Sequence, residues 1–191
     1  MTLKIWELKA SLDERFETIQ LVNFDQDYEK YFKEKFNSII PLAGIWKDVK
    51  VYTLEEGESS DCPQFWGHSA TPVFSEKALF ATQDFLKDKA EALPLVHSEK
   101  KYFAIHVLNA IDAIDYNRAV IRQLSTGLRV GFEKYAFIKE KVEGEHIFRI
   151  YLDDRIRSMV FVSDEFKEAV ESNGLVGFNF IEVWDSENVA P

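Results

Sequence analysis

From residue 102 to residue 184 the chain keeps returning to short runs of β-branched and aromatic residues, broken by turn residues rather than by regularly spaced helices. Such runs read as strands. We expect strands over 102–108, 157–162 and 176–184, and a hairpin in which 135–142 and 146–152 flank Glu143, Gly144 and Glu145. Residues 109–115 read as a turn or short irregular piece, and Gly127 and Gly131 as loop positions. Earlier in the chain, 3–8, 18–24 and 49–54 show the same strand bias. Strands that outnumber helices without alternating with them point to an α+β fold, a single domain with a mainly antiparallel sheet packed by a few helices.

Three segments read as helices. Ser75 precedes Glu76, Lys77, Ala78 and Leu79, where its hydroxyl can accept an otherwise unpaired backbone N–H. Phe74 and Leu79 have the spacing of a hydrophobic staple across that cap. Ala78, Leu79, Thr82, Phe85 and Leu86 make the buried face, and Leu93, Pro94 and Leu95 lie beyond the helix end. Ser163 caps 164–172, whose first-turn acids suit the helix dipole, and Asn173-Gly174 supplies a left-handed stop. In 25–40, Tyr28, Tyr31, Phe32, Phe36 and Ile39 recur at three- and four-residue steps, and Pro41 ends the segment.

The 191 residues, 46% hydrophobic and 14% aromatic, suffice for one core without a disulfide or metal staple. No repeat, low-complexity run or Pro/Gly linker divides them, so one domain over 1–191 is expected. The nearest approach to a break, residues 54–72, contains Phe65 and Trp66 and reads as an ordered long loop. The single cysteine, Cys62, excludes an intramolecular disulfide and a Cys-rich zinc site. The first residues lack the pattern of a secretory signal, and no apolar run approaches the ~20 residues of a membrane-spanning helix. A cytoplasmic location is expected. With 33 acidic against 23 basic residues the formal net charge is −10. Lys30, Lys33 and Lys35 are interleaved with Glu29 and Glu34, so no basic cluster stands out. Nucleic acid and anionic membrane are thereby disfavoured as partners, and a basic protein is not.

Motifs for phosphate cradling, dinucleotide binding, zinc hydrolysis and a serine nucleophile are all missing, and no cofactor is implied. Two constellations still merit weighing. Cys62 could act as a nucleophile with His68 nearby, but an acidic loop offers nothing to lower a thiol pKa, so an inert, half-buried thiol is the better reading. Asp112 and Asp115 would share a face if their segment were helical, and paired carboxylates can do acid–base or metal work. With His106 they form no recognisable ligand spacing, and turn or capping roles are commoner for short acids. His97 and His146 read as solvated or edge-strand residues, and Asp153-Asp154 as a turn.

The acidic loop draws more interest as a surface. Glu55, Glu56, Glu58 and Asp61 fall within seven residues without a basic residue among them, and Trp46, Tyr52, Phe65 and Trp66 bracket them. One reading is a solvated loop anchored into the core by aromatics. The other is a partner-binding surface made of Glu55, Glu56, Glu58, Asp61, Phe65 and Trp66, in which carboxylates steer a complementary partner and aromatics anchor it.

The order of motifs carries one resemblance. Val73-Phe74-Ser75-Glu76-Lys77-Ala78, Leu93-Pro94-Leu95 and the run from Tyr102 through His106 to Asp112 come first. Ile147-Phe148-Arg149-Ile150, Val160 through Lys167, and Gly174 through Phe180 follow, ending near Trp184. Together they resemble a bacterial family once catalogued as a domain of unknown function and now grouped with polymorphic-toxin immunity proteins. Trp46 and Asp61 also sit where that family has a Trp and an Asp. The resemblance spans almost the whole chain and is strongest over 73–86 and 102–184. It implies a cytoplasmic, non-enzymatic protein that binds a cognate protein toxin and blocks it. The runner-up is an enzyme or small-ligand binder with a site near Asp112 and Asp115, and a third reading is a self-associating homo-oligomer.

Overall fold

The computed structural model describes residues 2–188. Residue 1 and residues 189–191 of the expected domain lie outside the described residues. In chain order the elements are β1 (Lys4–Ala10), β2 (Thr18–Leu21) and α1 (Phe24–Asp27), which runs into a π turn (Tyr28–Phe32) and a 3-10 turn (Lys35–Asn37). Then come β3 (Val51–Glu55), β4 (Gln64–Phe65), β5 (Val73–Ser75), α2 (Glu76–Leu86), β6 (Ala90–Val96), β7 (Lys101–Val107) and β8 (Ala110–Ile111). The second half supplies β9 (Val120–Gln123), β10 (Arg129–Lys134), α3 (Lys139–Val142), β11 (Ile147–Leu152), β12 (Arg155–Ile156), β13 (Val160–Ser163), α4 (Asp164–Ser172) and β14 (Phe178–Asp185). The fold is α+β and its sheets are mostly antiparallel, as expected from the sequence.

The largest sheet has the order β12-β11-β13-β1-β14, with β8 added in parallel to β11. Alternation along its strands sends side chains to two different cores. Leu8, Ile147, Val160 and Val162 point to one face, where α2 and α4 pack through Ala78, Leu86, Phe166 and Val170. Ile5, Phe148, Ile150 and Phe161 point to the other, under Phe137, Val142 and Trp184. Both helix caps form as expected: Ser75 Oγ accepts from Ala78 N at 3.1 Å and Ser163 Oγ from Phe166 N at 3.4 Å. At the end of α4, Gly174 takes φ +60°, the left-handed stop.

Two smaller sheets enclose the third core. β5-β7-β6 is antiparallel, and β3-β2-β4 pairs β2 antiparallel to β3 and parallel to β4. Tyr31, Phe32, Phe36 and Trp46 fill the space beneath them. Arg149 reaches this layer from β11, is 2% exposed, and donates to the carbonyls of Phe36 and Ser38.

Several expectations fail here. Residues 25–40 do not form one α-helix. Lys33 N donates to Tyr28 O, five residues back, and the wider turn lets the adjacent Tyr31 and Phe32 both enter the core. Leu93-Pro94-Leu95 does lie beyond the end of α2, as expected, and falls inside β6, where an edge position tolerates the proline. The hairpin around Glu143-Gly144-Glu145 is absent, since 139–142 is helical, and Val142 is buried where a helical turn places it. The hairpin of this region is instead β9–β10, over the Gly127 and Gly131 stretch read as loop.

Candidate partner-binding surface

The acidic loop is built on Glu17, which is 1% exposed. Its carboxylate accepts from Tyr102 Oη at 2.6 Å and Ser60 N at 3.4 Å and is paired with Lys100. Burial and this carboxylate together hold the Tyr102 phenol well above its ordinary range. The backbone closes around the same strand: Glu58 N donates to Arg15 O at 2.7 Å and Glu17 N to Glu58 O at 3.0 Å. Gly57 makes this approach possible, because a Cβ there would lie 2.6 Å from Arg15 O.

Of the six residues singled out in this loop, the structure separates two from the rest. Phe65 is no surface anchor; at 2% exposure it belongs to the core with Ile19 and Phe32, because β4 pairs Phe65 with the inward-facing Ile19. Asp61 is a fastener: it accepts from Ser75 Oγ at 2.7 Å and Val176 N at 3.0 Å, tying the loop to the start of α2. Glu55, Glu56, Glu58 and Trp66 are exposed. Glu55 accepts from Thr18 Oγ1 at 3.1 Å, and none of the three glutamates is ion-paired among the described residues. Arg15, the nearest cation along the backbone pairing, is held by Asp13 at 3.0 Å.

Trp66 does not stand alone. Ile19 and Leu21 of β2 face inward, so Gln20 and Val22 face outward. The register places Tyr52 directly opposite Gln20, and Trp66 follows Phe65 on the other side, with its N–H on Ile19 O. The outer face therefore carries Tyr52 opposite Gln20, with Trp66 just beyond β4 on the other side and Val22 and Leu54 beside them; Gln20 is half-buried and the four apolar side chains are exposed. Sequence reasoning missed Val22 and Gln20 and used Tyr52 only as a bracket. The signal was present in the alternation of Thr18-Ile19-Gln20-Leu21-Val22.

The catalytic candidates occupy structural places. Cys62 is buried, and burial pushes its thiol up to about 12, far from thiolate formation at neutral pH. His68 is not aimed at it but bonds Thr71 Oγ1 at 2.8 Å beside the Phe32 ring. Asp115 caps its own turn through Asn117 N at 3.0 Å, while Asp112 is exposed 3.7 Å from Lys141. His106 is buried between Glu91 and Ser38 O. His97 and His146 bond hydroxyls of Thr53 and Ser163. Among the described residues no group of three or more His, Cys, Asp or Glu could hold a metal ion, and no helix is long and apolar enough to cross a membrane.

Residues 94–185 match the model of an immunity protein family (Imm11). The match runs from the end of β6 through β14 and agrees with the resemblance carried by the order of motifs in the sequence. It leaves β1 through α2, and with them the acidic loop and the β3-β2-β4 sheet, outside the matched stretch. No curated protein matches the chain.

Proposed function

We propose that this protein is a non-enzymatic immunity protein that binds a cognate bacterial toxin in the cytoplasm and neutralises it by occupying its surface. The observation that carries this reading is the family match over 94–185. The chemistry of the chain supports it, because Cys62, Asp112, Asp115 and the histidines serve packing, turns and hydrogen bonds. In this reading the loop 55–66 meets the toxin through Glu55, Glu56, Glu58 and Trp66, while Asp61 and Phe65 hold the loop in place.

The test is co-expression with the product of the neighbouring gene, as the candidate toxin. Growth should be rescued, the two chains should co-purify, and the toxin recovered from the complex should keep its unmodified mass. Rescue without a complex, or with a covalently altered toxin, would contradict the proposal.

A further inference from the structure

The outer face of the β3-β2-β4 sheet has the composition of an interface centre. Trp66 is 50% exposed, Val22 51% and Tyr52 42%, although apolar side chains of this size are normally drawn into a core. Strand spacing of about 4.8 Å sets the Tyr52 and Trp66 backbones roughly 10 Å apart, with Gln20 between them. Two amphipathic aromatics flank Gln20, whose amide oxygen is already held by Leu21 N at 2.8 Å, and they form an anchor set that the sheet backbone holds in place before any partner arrives.

The rim decides the partner. Glu55 ends β3 at one side of the face, and Glu56 and Glu58 continue from it. Among the described residues none of the three has a salt-bridge partner. Lys50 lies at the opposite end, beside Val22. The face is therefore acidic at one end, apolar and aromatic at its centre, and weakly basic at the other.

We propose that this sheet face, centred on Tyr52, Gln20 and Trp66, is the docking surface for a protein whose contacting side is lined by Lys and Arg around an apolar or aromatic recess. The proposal rests on the toxin-binding reading and names its surface. Charge complementarity argues for that occupant: the rim offers Glu55, Glu56 and Glu58 against the single Lys50, so a side lined by several Lys and Arg matches it better than a second copy of this chain, which would bring one lysine to three glutamates. Glu55, Glu56 and Glu58 steer the encounter, and Trp66 and Tyr52 hold the complex once it has formed.

The experiment is a binding-kinetics series over salt concentration, using the purified product of the neighbouring gene, as the candidate toxin. Wild type is compared with Trp66→Ala, Tyr52→Ala, Gln20→Arg and the triple change of Glu55, Glu56 and Glu58 to Lys. Each variant is first matched to wild type in thermal unfolding. Trp66→Ala should speed dissociation on the order of 100-fold with little change in association. Gln20→Arg should weaken binding about tenfold or more by placing a cation against a basic partner. The triple-Lys variant should slow association on the order of tenfold at low salt and flatten its salt dependence. Folded variants that bind as wild type overturn this surface while leaving toxin binding intact. A wild-type chain that does not bind the toxin domain overturns the functional reading and the surface together.

Discussion

The six-stranded sheet and the three-stranded sheet treat their aromatic residues in opposite ways. In the first, Phe148 and Phe161 are fully buried on one face, while Val162 and Phe166 close the other between sheet and helices. In the second, one face is sealed by Tyr31, Phe32 and Trp46, and the other presents Tyr52 and Trp66 to solvent. Four of the five strands on the first sheet's main path lie within the family-matched stretch and the fifth, β1, pairs with two of them, whereas the second sheet lies wholly outside that stretch.

Truncating an aromatic residue in each sheet should expose this difference most strongly. Phe161→Ala should cost about 4 kcal/mol of unfolding free energy, because it opens a cavity among Ile5, Phe148 and Phe137. Trp66→Ala should cost about 1 kcal/mol or less, since half of that side chain already faces water. Urea unfolding of the two variants checks the contrast, and equal losses would break it. Between these, Glu17→Ala should cost about 3 kcal/mol, leaving Lys100 and the buried Tyr102 hydroxyl without their acceptor.

Acid should weaken the smaller layer. Burial holds His68 and His106 below the ordinary histidine value of 6.5, although Glu91 partly opposes this at His106 and Arg149 adds to it. The unfolded chain therefore binds more protons than the folded one just below pH 6.5, and stability falls as pH drops through that value, by up to about 1.4 kcal/mol per pH unit for each group. Glu165, whose carboxyl is held below its ordinary 4.5, adds a loss only at lower pH. Urea midpoints at pH 7.5 and 5.5 should differ, and His106→Gln should reduce the difference. A flat profile would mean that these histidines titrate alike in the folded and the unfolded chain.

The helix cap and the cysteine set the small end of the scale. Ser75→Ala should cost about 1–2 kcal/mol, since Ser75 Oγ both caps α2 and donates to Asp61. Cys62→Ser should leave toxin binding unchanged.

These contrasts also explain what could be read from the sequence. Ser75 and Ser163 announced their helices because a cap is a local device: one hydroxyl, one N–H and the next few residues decide it. β7, β11 and β13 were legible because buried strands need continuous apolar, β-branched runs. The broken helix over 24–37 was not, because its π turn is imposed by the core that Tyr31 and Phe32 enter. β6 was hidden by Pro94, which only its position at a sheet edge permits. The candidate surface was half legible. The charge of Glu55, Glu56 and Glu58 is a sequence property, but the split of Phe65 inward and Trp66 outward depends on the register of β4 against β2.

Hydrogen exchange of the free chain against its complex with the toxin domain tests the central claim most directly. The account predicts new protection concentrated at residues 18–22, 50–58 and 64–66, with the amides of β11, β13 and α4 unchanged. Protection confined to the family-matched stretch, with β2, β3 and β4 exchanging as in the free chain, would contradict it.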